Sequence, residues 1–213
     1  FTNKAAGEML DRASAMLKKK DRKKDADQPE ISTFHSLCVR VLRRNITHLG
    51  YPAHFTIYDR GDQESIARTA LREIRVPDKA LRPGELLFHI SRWKTVGTSP
   101  SEAAGTAATD KEHLASAAFR RYQAALEAAG AVDFDDLLLL TDKLFTQFSE
   151  VYQAEAGRFD HILVDEYQDT NAVQYRIVKA LAGQHRNLCV VGDDDQSIYG
   201  WRGAEVDNIL RFE

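Results

Sequence analysis

Cysteine is nearly absent. Only Cys38 and Cys189 occur in 213 residues, far apart and in no CxxC pair, which excludes a disulfide framework and a zinc site of ordinary spacing. Both are expected to be buried as small apolar side chains in a reducing compartment. The seven histidines are scattered without metal-ligand spacing. Long apolar runs are missing too. None approaches the roughly 20 residues that span a bilayer, so no membrane partner is expected. Nothing at the start has the make-up of a signal peptide, and a cytoplasmic location is the expectation. The chain opens on Phe1 rather than Met, and is read as a piece of a longer protein. Proline is sparse, and Pro52, Pro77, Pro83 and Pro100 punctuate connections.

Neither sign of charge dominates, since the formal net charge is −3. Its distribution is uneven. Residues 1–50 hold 11 Lys/Arg against 6 Asp/Glu, a balance of +5, and residues 160–213 hold 5 against 10, a balance of −5. A basic start suits a polyanion and an acidic, Asp-rich end suits a metal. On charge alone, two solvated faces explain the same numbers, and the basic loop 18–24 is read as solvated.

The rest is organised by periodicity. Residues 4–19 carry Ala5, Met9, Ala13 and Met16 at helical spacing. Glu30-Ile31-Ser32 reads as the end of a short strand. A helix follows through Leu37, Val41, Leu42, Ile46 and Leu49, and Gly50 and Pro52 end it. From Asp59 to Gln147 the pattern is almost all helical, with Asp59, Thr109 and Asp133 as N-caps. Residues 102–129 form a helix hairpin or a broken long helix. After Arg158 the pattern changes. An apolar run 161–164, a helix over 170–182 and an apolar run 188–191 read as strand, helix and strand of a parallel sheet. The fold expected is α/β: a core formed by residues 1–35 and 146–213, interrupted by a mostly helical insertion over 36–145.

Two segments carry most of the chemistry. The first is Ile162-Leu163-Val164-Asp165-Glu166-Tyr167-Gln168-Asp169-Thr170. Its acids follow a strand, at the carboxyl end where open α/β sheets bind ligands. Asp165 there can hold Mg²⁺ against nucleotide phosphates, and Glu166 can orient and polarise a water. The plainer reading has these acids cap the next helix. The second segment, Val191-Gly192-Asp193-Asp194-Asp195-Gln196-Ser197-Ile198-Tyr199-Gly200-Trp201-Arg202-Gly203-Ala204, also follows a strand. It brings the amide of Gln196 to the same rim. Tyr199 and Trp201 then sit in a Gly-bounded loop, which suits base stacking about as well as a small satellite cluster. Two shorter segments, Phe1-Thr2-Asn3 and Thr33-Phe34-His35, each precede a helix, where Thr2, Asn3 or Thr33 can cap it or meet a phosphate.

Taken in order, these four segments resemble the superfamily 1 helicases of the Rep/UvrD/PcrA group. The opening is similar to that family's motif Ia, Ser32 to Ser36 to motif Ib, residues 162–171 to motif II and 190–204 to motif III. Val132-Asp133-Phe134-Asp135-Asp136-Leu137 resembles the point where the chain re-enters the core, and Ser91-Arg92-Trp93-Lys94 resembles part of the insertion. Gly-Asp-Asp-Asp-Gln leans toward the Rep-like branch. The resemblance implies a RecA-like parallel-sheet core, ATP and Mg²⁺ as cofactors, and 3′ to 5′ movement on single-stranded DNA with unwinding at junctions. It implies Asp165 as the Mg²⁺ acid, Glu166 as the catalytic base and Gln196 as the γ-phosphate contact. Phe1, Tyr199 and Trp201 become candidates for packing on bases. Thr2, Asn3, Thr33, Phe34, His35 and Arg202 become candidate DNA contacts. One departure is plain: no GxxxxGK[ST] occurs in the sequence. In the family it lies upstream, on the rest of the helicase chain, with a second motor domain downstream. The activity expected is therefore the parent's, with the isolated fragment inactive. A non-catalytic nucleic-acid-binding module on a helicase fold, or the motor of a helicase–nuclease subunit, remain as alternatives.

Overall fold

The computed structural model describes residues 2–18, 29–77, 79–197, 200, 204 and 207–210, apart from the side chains of residues 17 and 18. Helices dominate. Helix α1 (Asn3–Lys18) comes first, then α2 (Phe34–Asn45), which continues as a 3-10 turn to Leu49. Strand β1 (Thr56–Ile57) precedes α3 (Arg60–Glu73), α4 (Pro83–Val96), α5 (Ala103–Thr106) and α6 (Asp110–Ala128). Strand β2 (Ala131–Val132) leads into α7 (Phe134–Gln147) and α8 (Ser149–Ala156). The last part holds β3 (Ile162–Val164), α9 (Ala172–Ala182), β4 (Leu188–Val190) and the short α10 (Asp207–Leu210).

Local chemistry explains the helix starts. Asp59, Thr109 and Asp133 each accept the backbone N–H three residues on, and each helix returns a side chain from that residue to the cap backbone. These are reciprocal capping boxes, at the positions the sequence indicated. Asn171 does the same for α9 with Gln174. The Ala-rich stretch resolves into a short α5 and a long α6, separated at the Thr109 cap.

Apolar side chains gather in three clusters. One joins α3, α4, α5 and α6, and in it Trp93 stacks on Phe119 with centroids 5.9 Å apart. A second joins α2, α7, α8 and α9. The third lies beneath β3 and β4, built on Val164, Tyr167 and Val178. The first two change over near residues 57 and 131 in the chain, next to the parallel pairing of β1 with β2.

β3 and β4 are parallel, with Ile162, Leu163 and Val164 opposite Leu188, Cys189 and Val190. The intervening α9 is the crossover that parallel neighbours need. The pleat sends alternate residues to opposite faces. Ile162, Val164, Leu188 and Val190 face the third cluster, whereas Leu163 is 75% exposed and Val191 56%. Cys189 shares that outer side and is exposed, which corrects its expected burial. Cys38 is buried as expected. Glu30-Ile31-Ser32 is also corrected, because it forms no strand. Its polar side chains are instead held by Arg40, which donates to Glu30 and to Ser32 Oγ. No described helix is long and apolar enough to cross a membrane.

Candidate functional site

The two acidic loops leave the sheet side by side. Val191 N donates to Val164 O at 2.8 Å, and Tyr167 N donates to Val191 O at 2.9 Å. The backbones therefore stay paired one step past the strands. Asp165 and Glu166 emerge on one side of this pairing and Gly192-Asp193 on the other. Asp165 is exposed and Glu166 half-buried. Neither caps α9, since Asn171 does that. The helix-capping explanation for the two acids fails on this point.

Glu166 adopts a left-handed backbone, φ 50° and ψ 47°. A residue with a Cβ pays for that conformation in strain, and such strain concentrates at functional positions. The bend turns the chain from β3 into a 3-10 turn over Tyr167–Asp169. Asp165 Oδ1 accepts the Glu166 N–H at 3.0 Å. Glu166 Oε2 accepts from Gln168 Nε2 at 2.6 Å. On the facing loop, Asp193 Oδ1 accepts the Asp195 N–H, and its Oδ2 accepts from Gln196 Nε2. Gln196 is thus held on the rim that Asp165 and Glu166 occupy, and the loop's 3-10 turn (Asp194–Gln196) is exposed.

Among the described residues no Lys, Arg or His forms an ion pair with Asp165, Glu166, Asp193, Asp194 or Asp195. No described group of three or more His, Cys, Asp or Glu could hold a metal by itself. The exposed carboxylate of Asp165 beside the half-buried one of Glu166 suits Mg²⁺, which is commonly held by one or two carboxylates with substrate phosphates completing its shell. The residues fit such an ion arriving with a nucleotide and do not fit an all-protein metal cage.

The other candidates lie near the N-terminal ends of α1 and α2. Thr2 Oγ1 accepts the Ala5 N–H, as a cap does. Thr33 caps α2 by accepting the Ser36 N–H. Asn3 Oδ1 accepts both hydroxyls, from Thr33 at 3.2 Å and from Ser36 at 2.9 Å, so the two helix starts are tied together. Phe34 turns inward and packs against the second and third clusters, including the sheet. His35 stands edge-on to the exposed Phe134 at 6.1 Å, and burial lowers its pKa from 6.5. Phe1, Tyr199, Trp201 and Arg202, and the basic loop except Lys18, lie outside the described residues.

Residues 1–213 match the family model of the UvrD/REP helicase N-terminal domain. The chain belongs to the UvrD/Rep helicase family. Among its relatives are ATP-dependent DNA helicases PcrA from Bacillus subtilis (strain 168), 45% identical, and from Staphylococcus aureus (strain Mu50), 43% identical. Both alignments cover all of this chain and 28% of the relative.

Two residues of this UvrD/Rep chain had no role in the sequence reading. Gln168 is 1% exposed and touches both acidic loops. Asn208 Nδ2 donates to Thr170 O at 3.0 Å, returning α10 to the end of the first acidic segment. For Gln168 the available signal was a polar residue two positions after Glu166. Asn208 had none, because its partner is 38 residues away.

Proposed function

We propose that this chain is the ATP-handling part of a 3′ to 5′ DNA helicase, which couples ATP hydrolysis to movement on single-stranded DNA and to unwinding at junctions. The observation that carries the reading is the convergence of Asp165, Glu166 and Gln196 at the carboxyl ends of two neighbouring parallel strands. Asp165 would hold Mg²⁺, whose chemistry there is neutralising charge on the phosphates. Glu166 accepts the proton of the attacking water. Gln196 hydrogen-bonds the γ-phosphate and responds to its departure. The capped starts of α1 and α2, with Asn3, Thr33 and His35, form the adjoining DNA-backbone contact, while Tyr199 and Trp201 stack on bases.

The reading extends to the fold. A parallel sheet is normally covered on both faces. Leu163, Cys189 and Val191 present an apolar face for the remainder of a RecA-like core, formed with residues 1–35 and 146–213. Residues 36–145 are the helical insertion; the separate apolar cluster of α3 to α6 supports an inserted unit over that part, while α2 and α7 pack with α8 and α9.

The test uses the full-length protein. Glu166→Gln keeps the shape of the side chain and removes its basicity. Hydrolysis is expected to fall by orders of magnitude while fluorescent-nucleotide binding persists. Hydrolysis near the wild-type rate would remove Glu166 as the base and the reading with it.

A further inference from the structure

We infer that Gln168 is a positioning residue that fixes the carboxylate of Glu166 and links it to the loop carrying Gln196. The inference rests on the reading of Glu166 as the base. Gln168 is 1% exposed and acts through the groups it holds.

The geometry is specific. Gln168 is buried, and both ends of its amide are engaged across the two loops. Its Nε2 donates to Glu166 Oε2 at 2.6 Å, and its Oε1 accepts the Asp193 N–H at 3.1 Å. Reversing the amide would set its oxygen against a carboxylate and its NH₂ against an N–H. Only one orientation satisfies both partners. A carboxylate at this position could keep the Asp193 contact, but it would repel Glu166. An apolar side chain could fill the volume and would hold neither group.

The surroundings leave no slack. A Cβ at Gly192 would overlap Gln168 Oε1 and lie 2.7 Å from Ile209 Cδ1. The chain is therefore bare of a side chain where the amide crosses between loops. Glu166 itself stands on a left-handed backbone, and the Gln168 amide is hydrogen-bonded to its carboxylate. From Asp193 the connection continues, because the Asp193 carboxylate accepts from Gln196 Nε2. The chain of contacts runs Gln196, Asp193, Gln168, Glu166. A shift of the Gln196 loop when the γ-phosphate leaves, or when DNA moves the downstream aromatics, reaches Glu166 through the Gln168 amide. One element is thus biased from two sides, as coupling requires.

The experiment is a double-mutant cycle in the full-length helicase, with steady-state ATPase measured with and without saturating single-stranded DNA. Gln168→Met should lower kcat roughly 10- to 100-fold, the range for losing an outer-shell partner, with KM and nucleotide affinity held. Gln168→Glu should lower kcat further, because it sets like charges together. In the Glu166→Gln background, adding Gln168→Met should change nothing more, since the group it positions is already disabled. Unchanged kcat in Gln168→Met beside a dead Glu166→Gln overturns the positioning role and leaves the assigned base standing. The same fractional loss in both backgrounds also overturns it, by showing that Gln168 acts elsewhere. An active Glu166→Gln sinks the underlying reading instead. If Gln168→Met does not fold, Gln168→Glu carries the same cycle, and wild-type kcat in it is likewise contrary.

Discussion

At the scale of single residues, the site depends on two positions with little tolerance. Glu166 occupies a backbone region that disfavours side chains, and Gly192 occupies a space that excludes one. The alanine methyl of Gly192→Ala would press on the oxygen of Gln168 and on Ile209. Overpacking of this kind costs about 1–3 kcal/mol, and the buried amide cannot swing away without losing Asp193 or Glu166. Gly192→Ala in the full-length protein is expected to reduce DNA-stimulated ATPase more than it reduces nucleotide affinity. Steady-state kinetics beside a nucleotide titration decide this. Wild-type turnover would mean that the loop moves aside and the close approach is incidental.

At the scale of elements, the start of α6 is held by charge. Glu112 accepts the N–H groups of Ala108 at 2.9 Å and Thr109 at 3.1 Å, and also pairs with Arg92 of α4. The Ala108 N–H first, and then Arg92, hold its carboxyl down from 4.5 to about 2. The sign follows from linkage. A carboxylate with a depressed folded pKa adds stability that is fully present above the ordinary value. That stability drains away as pH falls through the folded one. Glu112→Gln should therefore be less stable than the parent chain at neutral pH, with the difference shrinking from about pH 4.5 down to about 2. Urea unfolding of both chains across that range reads it out. A difference independent of pH would show that Glu112 acts through shape alone.

At the scale of the whole molecule, one buried ionic group lies where the first two apolar clusters meet. Lys94, at the end of α4, is 1% exposed and donates to Asp133 Oδ2 and Asp136 Oδ1, both at 2.7 Å. Tyr122 of α6 donates its hydroxyl to the same Asp133 oxygen. Burial opposes the lysine's charge, but the two carboxylates outweigh it and raise its pKa. Beside it Arg176 of α9 pairs with Asp142 of α7 and lies against Gly97, which ends α4 with φ 87°. Removing one partner from a buried pair strands the others and costs about 3–5 kcal/mol. Lys94→Met should lower the unfolding free energy by that order. Lys111→Met, at a lysine 54% exposed, should change it little. Equal losses in the two variants would deny the ionic group its role. Adding Asp133→Asn and Asp136→Asn to Lys94→Met should recover part of the loss, because no charge is then left unpaired.

What the sequence by itself determined is what short stretches of chain decide. Asp59, Thr109 and Asp133 cap helices because each meets an N–H only three residues away. The run Ile162–Val164 followed by two acids marks a strand end on its own composition, and so does Leu188–Val190 before its aspartates. The parallel pairing of these strands was legible from the helix between them. Tertiary structure decided whatever depends on distant partners. Ser91-Arg92-Trp93-Lys94 and Val132-Asp133-Phe134-Asp135-Asp136-Leu137 could each be picked out separately. That Lys94 meets Asp133 and Asp136, 39 and 42 residues along, is a property of packing. Periodicity could not tell which face of a three-residue strand is covered, so Cys189 emerged exposed and Leu188 turned inward. The Gln168 link also spans 25 residues to Asp193. It exists because the sheet brings the ends of β3 and β4 together, and an amide buried between them must satisfy both of its ends.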